Sequence, residues 1–195
     1  MADDRHDRTT QDVGNIVALE HVNVMVPDQQ LATLFYVVGL GLTRDPYLMT
    51  GLENMWINIG QQQFHLPTAP PQVLRGHVGL VIPDFDELPG RLAAVAPRLA
   101  GTRFEHAVED KHIRVVSPWG NVIRCHPPGP AFGEMTLGMP YVEFGVEVGA
   151  ADGIARFYRT AFGASAAVVR NGGGTAARVT VGAHQELIFR ETAGA

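Results

Sequence analysis

Apolar and polar residues alternate along several short stretches of this chain, and the period of two predicts strands with one packed face and one face free for chemistry. Over Ile16 to Val26, Val22, Val24 and Val26 share one face, while His21, Asn23 and Met25 share the other. Asp28 then stands where a helix cap is needed, and Leu31, Leu34, Phe35 and Val38 recur at helical spacing, which predicts a helix over Gln29 to Val38. Gly39 and Gly41 stop it. Strands are expected at Leu42 to Leu48, Asn54 to Ile59 and Gln61 to Leu66, with Gly60 in the tight turn. In the last of these, Phe64 and Leu66 face one way and Gln63 and His65 the other.

The same order then returns. Val73 to Ile82 reads as a strand, Asp84 as a cap, and residues 85 to 99 as a helix with Leu88, Leu92, Val95 and Leu99 inward. Pro89 is tolerable only near the first turn. Strands follow at about 102–107, 112–116 and 121–126, the last two joined by a turn at Ser117-Pro118-Trp119-Gly120. Ile123 and Cys125 share a face; Val122, Arg124 and His126 share the opposite one. A third pass gives a strand at Val142 to Val148, a helix at about 151–161 and strands near 164–170, 175–181 and 184–190.

These passes are an internal repeat of about sixty residues, which has to be recognised before any fold is assigned. Glu20-His21-Val22-Asn23-Val24-Met25-Val26-Pro27-Asp28 is echoed 56 residues later by Gly76-His77-Val78-Gly79-Leu80-Val81-Ile82-Pro83-Asp84. At an offset of 122, Phe157-Tyr158 falls on Phe35-Tyr36, Gly163 on Gly41, Gly182 on Gly60, and Glu143 on His21. The Pro- and Gly-rich stretch 129–139 reads as a linker, so units one and two are expected to pair over 15–128 and unit three to occupy 140–195. A lone third unit leaves a sheet edge and an apolar face, so its partner is expected either in a longer four-unit protein or in a homodimer.

Composition narrows the function classes. The chain has 195 residues, 46% hydrophobic and 18% charged, and its net charge of −5 offers no basic stripe for nucleic acid. Arginine supplies all the basic residues except Lys111, which reads as compositional bias rather than phosphate recognition. Cys125 is the single cysteine, excluding an internal disulfide, and no apolar run approaches a membrane span. Residues 1–14 are polar and read as a disordered tail without a secretory signal, so a cytoplasmic protein is expected.

Three βαβββ repeats, the twin His-to-Pro-Asp strands and Pro118-Trp119-Gly120-Asn121-Val122-Ile123 together resemble the vicinal oxygen chelate superfamily, which includes glyoxalase I, bleomycin-resistance proteins and extradiol dioxygenases. The resemblance covers about residues 16–192 and implies an α+β fold whose tandem units pair into an open, cup-shaped barrel with helices outside. It also implies a divalent metal, Fe, Zn or Mn, held by first and fourth strands. Carried over, those positions are His21, His65, His77 and Arg124. Three imidazoles can hold such a metal, but a guanidinium has no lone pair to offer, and the family usually has a glutamate there. Arg124 suits an anionic ligand oxygen instead.

His126, two residues on, shares that face and reads as a replacement ligand, an acid–base group or a solvated strand-end histidine. Asn23, Met25, Trp56, Asn58 and Gln63, with Arg124, are expected to line a small-molecule site. Cys125 reads as core, Asn171 to Gly174 as a hairpin tip, and Glu105, His106, Glu109, Asp110 and His112 as a solvated turn. Two functions remain open: a metal-dependent lyase or dioxygenase-like enzyme acting on a small oxygenated substrate, and a non-catalytic small-molecule binder of the resistance type.

Overall fold

The computed structural model describes residues 16–48, 51 and 53–194. The expected polar tail at 1–14 lies outside the described residues. The described residues divide into two compact units, one within residues 20–143 and one that joins residues 16–19 to residues 144–194. The Pro- and Gly-rich stretch 129–139 falls inside the larger unit.

In the larger unit, strand β1 (His21–Asn23) runs parallel to β4 (Gln62–Pro67), and β3 (Asn54–Ile59) and β2 (Thr43–Arg44) complete a sheet of order β1-β4-β3-β2. β1 is shorter than the alternation suggests, although backbone bonds from Val24 and Val26 to His65 and Pro67 continue its pairing. Upstream of Glu20 there is no further β4 to pair with, and Ile16 and Leu19 pack in the smaller unit against Ala164, Val179 and Val181. β2 is also short. The Asp45 carboxylate accepts from the backbone N–H groups of Tyr47 and Leu48 at 2.8 and 2.9 Å, turning the chain out of the ladder.

Helix α1 begins at Gln29–Ala32 and continues over Thr33–Gly39 in the wider π geometry. Its cap is as expected, with Asp28 accepting from Gln30 and Leu31 at 2.8 and 2.9 Å. Phe35, Tyr36, Phe64 and Ile57 are almost fully buried, forming the core between this helix and the sheet.

A second sheet has the order β9-β5-β8-β7-β6, built from β5 (Gly76–Val81), β6 (Glu105–Val108), β7 (Ile113–Val116), β8 (Val122–His126) and β9 (Gly138–Val146). Helix α2 (Leu88–Val95), extended at both ends by 3-10 turns, buries Leu88, Leu92 and Val95, and Pro89 sits in its first turn. Asp84 differs from Asp28, since its side chain makes no capping hydrogen bond. β9 starts four residues before the expected strand, inside the stretch read as linker. Met139 is fully buried and its N–H donates to Gln62 Oε1 at 3.1 Å, so packing extends the strand where local composition does not.

The smaller unit carries helix α3 (Ala151–Phe162) and the antiparallel order β10 (Ala166–Asn171), β11 (Gly174–Gly182), β12 (Gln185–Glu191). Gly163 ends α3 with φ 63°. Ala151, Ala155 and Ala177 let the helix approach the sheet closely. Gln185 clamps the N-terminal segment in this unit, accepting from Leu19 N–H at 3.1 Å and donating to Leu19 O at 3.0 Å. No described helix is long and apolar enough to cross a membrane.

Candidate functional site

Alternation sends the predicted side chains of the first repeat to one face of β1-β4-β3. His65 lies opposite Trp56 in the β3–β4 register and beside Asn23 in the β1–β4 register. The Trp56 and His65 rings stack at 4.0 Å and 14°, and His21 meets Trp56 edge-on at 5.3 Å. The His21 and His65 centroids are 6.4 Å apart. His21 Nδ1 pairs with the Glu20 carboxylate. Burial and the neighbouring His21 hold the His65 imidazole below its ordinary pKa, and its Nε2 is buried without a hydrogen-bond partner. Gln63 donates to Asp45 at 2.8 Å and Asn58 at 2.7 Å, so two predicted lining residues bind one another. Asn23 and Met25 are exposed on the same face.

The second repeat brings together a different set. His77, only 7% exposed, meets the edge of Tyr141 at 5.6 Å. Arg124 pairs in register with Gly79, and His126 with Val81. Tyr141 crosses over Gly79, where an added Cβ would meet the ring at 2.4 Å. His126 Nε2 hydrogen-bonds the Tyr141 hydroxyl at 2.9 Å. Burial pushes the His126 imidazole down to about 4, helped by His112 and Arg124, while a bond to the Lys111 backbone opposes that shift. Burial pushes the Tyr141 phenol up to about 12, with the Arg124 charge acting against that shift and Glu143 acting with it. Arg124 Nε is buried and has no hydrogen-bond partner.

The solvated-turn expectation for Glu105 to His112 is corrected in part. Glu105 pairs with Arg114 at 2.6 Å, but His112 is held by Glu109 at 3.0 Å and lies 5.4 Å from His126, so it belongs to the edge of this cluster. Burial and the Arg124 charge lower its pKa, partly offset by Glu109. Cys125 is fully buried on the opposite side of β8 and its thiol is pushed up by desolvation, as suits a core residue.

Tyr141 was not among the residues that alternation marked. A glycine inside a strand signals a close backbone approach, and Gly79 was that signal. Asn121, by contrast, is structural. It accepts from Leu74 N–H at 2.8 Å and donates to Gln72 O at 2.7 Å, pinning the connection between the repeats. Behind the polar faces, Val22, Val24, Phe64, Val78 and Ile123 line an apolar cleft. Of the predicted lining residues, only Asn23 touches it.

Among the described residues, no three His, Cys, Asp or Glu side chains are gathered as a metal-binding group. His21 and His65 share one aromatic cluster, His77 lies against Tyr141, and the fourth position holds a cation.

No protein-family model matches the sequence, and no curated protein matches it. Solved structures do. A "putative dioxygenase" from Bacillus subtilis superposes with a TM-score of 0.61 at 14% identity, covering 92% of this chain and 65% of that one. A glyoxalase I mutant from Zea mays gives 0.60 at 14% identity over 90% of this chain and 68% of the maize chain, and glyoxalase I from the same plant gives 0.58 at 14% over 88% and 65%. The chain thus spans about two thirds of the length of these proteins. At such identity the likeness is one of fold alone, and this chain shares the fold of these glyoxalase and dioxygenase structures.

Proposed function

We propose that this chain binds a small, oxygenated, anionic molecule on the β9-β5-β8 face, with Arg124 as the cation that holds it. The observation that carries the reading is the buried Arg124 Nε, which has no hydrogen-bond partner and lies beside Tyr141, His126 and His112. Leaving such a donor unsatisfied costs about 1–3 kcal/mol, and a carboxylate would satisfy it through a charge-assisted bond. Glyoxalase and dioxygenase architectures among the similar structures support a small-molecule site. The test is calorimetric titration with phenylacetate. Saturable binding that Arg124→Met abolishes supports the reading; binding that survives the substitution refutes it.

One observation favours a second reading, the metal-dependent lyase or dioxygenase-like enzyme. His65 Nε2 is buried and unpartnered beside His21. Elemental analysis after incubation with Fe²⁺, Zn²⁺ or Mn²⁺ decides it. Stoichiometric metal lost in both His21→Ala and His77→Ala would carry this reading, and background metal in the native protein would end it.

A further inference from the structure

We infer that the apolar cleft between the first two repeats is a second small-molecule site, separate from the Arg124 face, which takes a neutral molecule with an apolar body and one oxygen that the Tyr36 hydroxyl engages.

Both repeats supply the walls, Val22, Val24 and Phe64 from the first and Val78 and Ile123 from the second. Val24, Phe64, Val78 and Ile123 are no more than 6% exposed, whereas Asn23 and Gln72, which also line the cleft, are exposed and mark its opening to solvent. No lining residue carries a charge, so an ion entering here would lose its hydration without compensation. The cleft therefore selects against the anions proposed for Arg124.

Tyr36 supplies the polar anchor. It is 1% exposed, with its ring centroid 4.8 Å from Phe35 and 5.1 Å from Phe64, and it lines the cleft. Its hydroxyl has no hydrogen-bond partner among the described residues, although buried hydroxyls as a rule are bonded. Burial pushes the phenol far up, which keeps it protonated and neutral. The other buried polar side chain of the lining, Asn121, is already committed to Leu74 N–H and Gln72 O. A buried water needs about two to four polar partners, which these walls do not offer, whereas an organic oxygen needs only the one. Tyr36 also lies in the turn Thr33–Gly39 where helix α1 takes π geometry, a departure from α winding that is frequent at functional sites. Apolar walls with a single placed polar group are the usual make-up of a small-molecule pocket.

The test is NMR titration of the full chain with cyclopentanone and with methylenecyclopentane, which has the same shape without the oxygen. Both are expected to bind saturably. Tyr36→Phe deletes only the hydroxyl and is expected to weaken cyclopentanone on the order of tenfold, the worth of one hydrogen bond, while methylenecyclopentane binding stays unchanged. Because that hydroxyl bonds nothing in the protein, Tyr36→Phe is expected to leave the Tm of the ligand-free chain unchanged, which a structural role for the hydroxyl would not allow. Val22→Phe fills the cleft from a half-buried wall position and is expected to abolish binding of both molecules. Arg124→Met is expected to leave cyclopentanone binding as it is. No saturable binding of either molecule, ketone binding indifferent to Tyr36→Phe, or ketone binding lost in Arg124→Met each overturns the inference, and none of these outcomes bears on phenylacetate at Arg124.

Discussion

The first two repeats place imidazoles at equivalent strand positions and treat them in opposite ways. On β1-β4-β3 the His21, Trp56 and His65 rings pack against one another, and the nearest carboxylate, Glu20, is exposed. On β9-β5-β8 the corresponding surface joins His126 to the Tyr141 hydroxyl at 2.9 Å, with the Arg124 charge acting on both and His77 against the ring edge. One substitution accounts for much of the contrast. Arg124 stands at the fourth-strand position of repeat two where repeat one has His65, which exchanges a possible lone-pair donor for a permanent cation. A repeat thus conserves packing geometry while its exposed alternate positions acquire unrelated chemistry.

The comparison can be broken most severely through the cores beneath the two faces. Phe64→Ala removes a side chain 1% exposed under the first face and is expected to cost about 3–5 kcal/mol in denaturant unfolding, because the cavity cannot collapse around a lost ring. Gly79→Ala acts on the second face, where Cβ would overlap the Tyr141 ring at 2.4–2.7 Å. It is expected to cost about 1–3 kcal/mol by overpacking, and to displace Tyr141, measured by denaturant unfolding.

A smaller effect distinguishes the two helix starts. Asp28→Ala removes two capping bonds and should cost about 1 kcal/mol, whereas Asp84→Ala, whose side chain caps nothing, should stay within about 0.5 kcal/mol. Equal effects at both would show that the caps do not differ as described.

The smallest expected effect is on pH dependence. The folded His126 pKa of about 4 lies below the ordinary 6.5, so the neutral ring stabilises the fold above pH 6.5, and that contribution is lost as pH falls from 6.5 through 4. His65, also depressed, acts in the same direction. Both rings are partly exposed, so solvent screens the effect to a shallow fall in Tm. His126→Phe should flatten the Tm profile in this window more than His106→Phe, whose ring lies on edge strand β6; identical profiles would remove His126 from the account.

Most elements were legible in the sequence because they depend on local periodicity and turn chemistry. β3 at Asn54–Ile59 and the α3 helix fall where alternation and helical spacing put them, and Asp28 caps as its chemistry predicts. The sharing of a face by Gln63 and His65, and by Arg124 and His126, also follows from strand alternation alone. Which strands become neighbours does not. The placement of β9 beside β5, and hence of Tyr141 over Gly79, depends on pairing between segments about sixty residues apart. So does the capture of Ile16 and Leu19 by the smaller unit, where Gln185 bonds the Leu19 backbone from 166 residues away. The sequence by itself determined which residues each strand offers to its polar face; tertiary structure decided which of those residues meet, because contact between distant segments is selected by packing and hydrogen-bond satisfaction across the whole unit rather than by any local pattern.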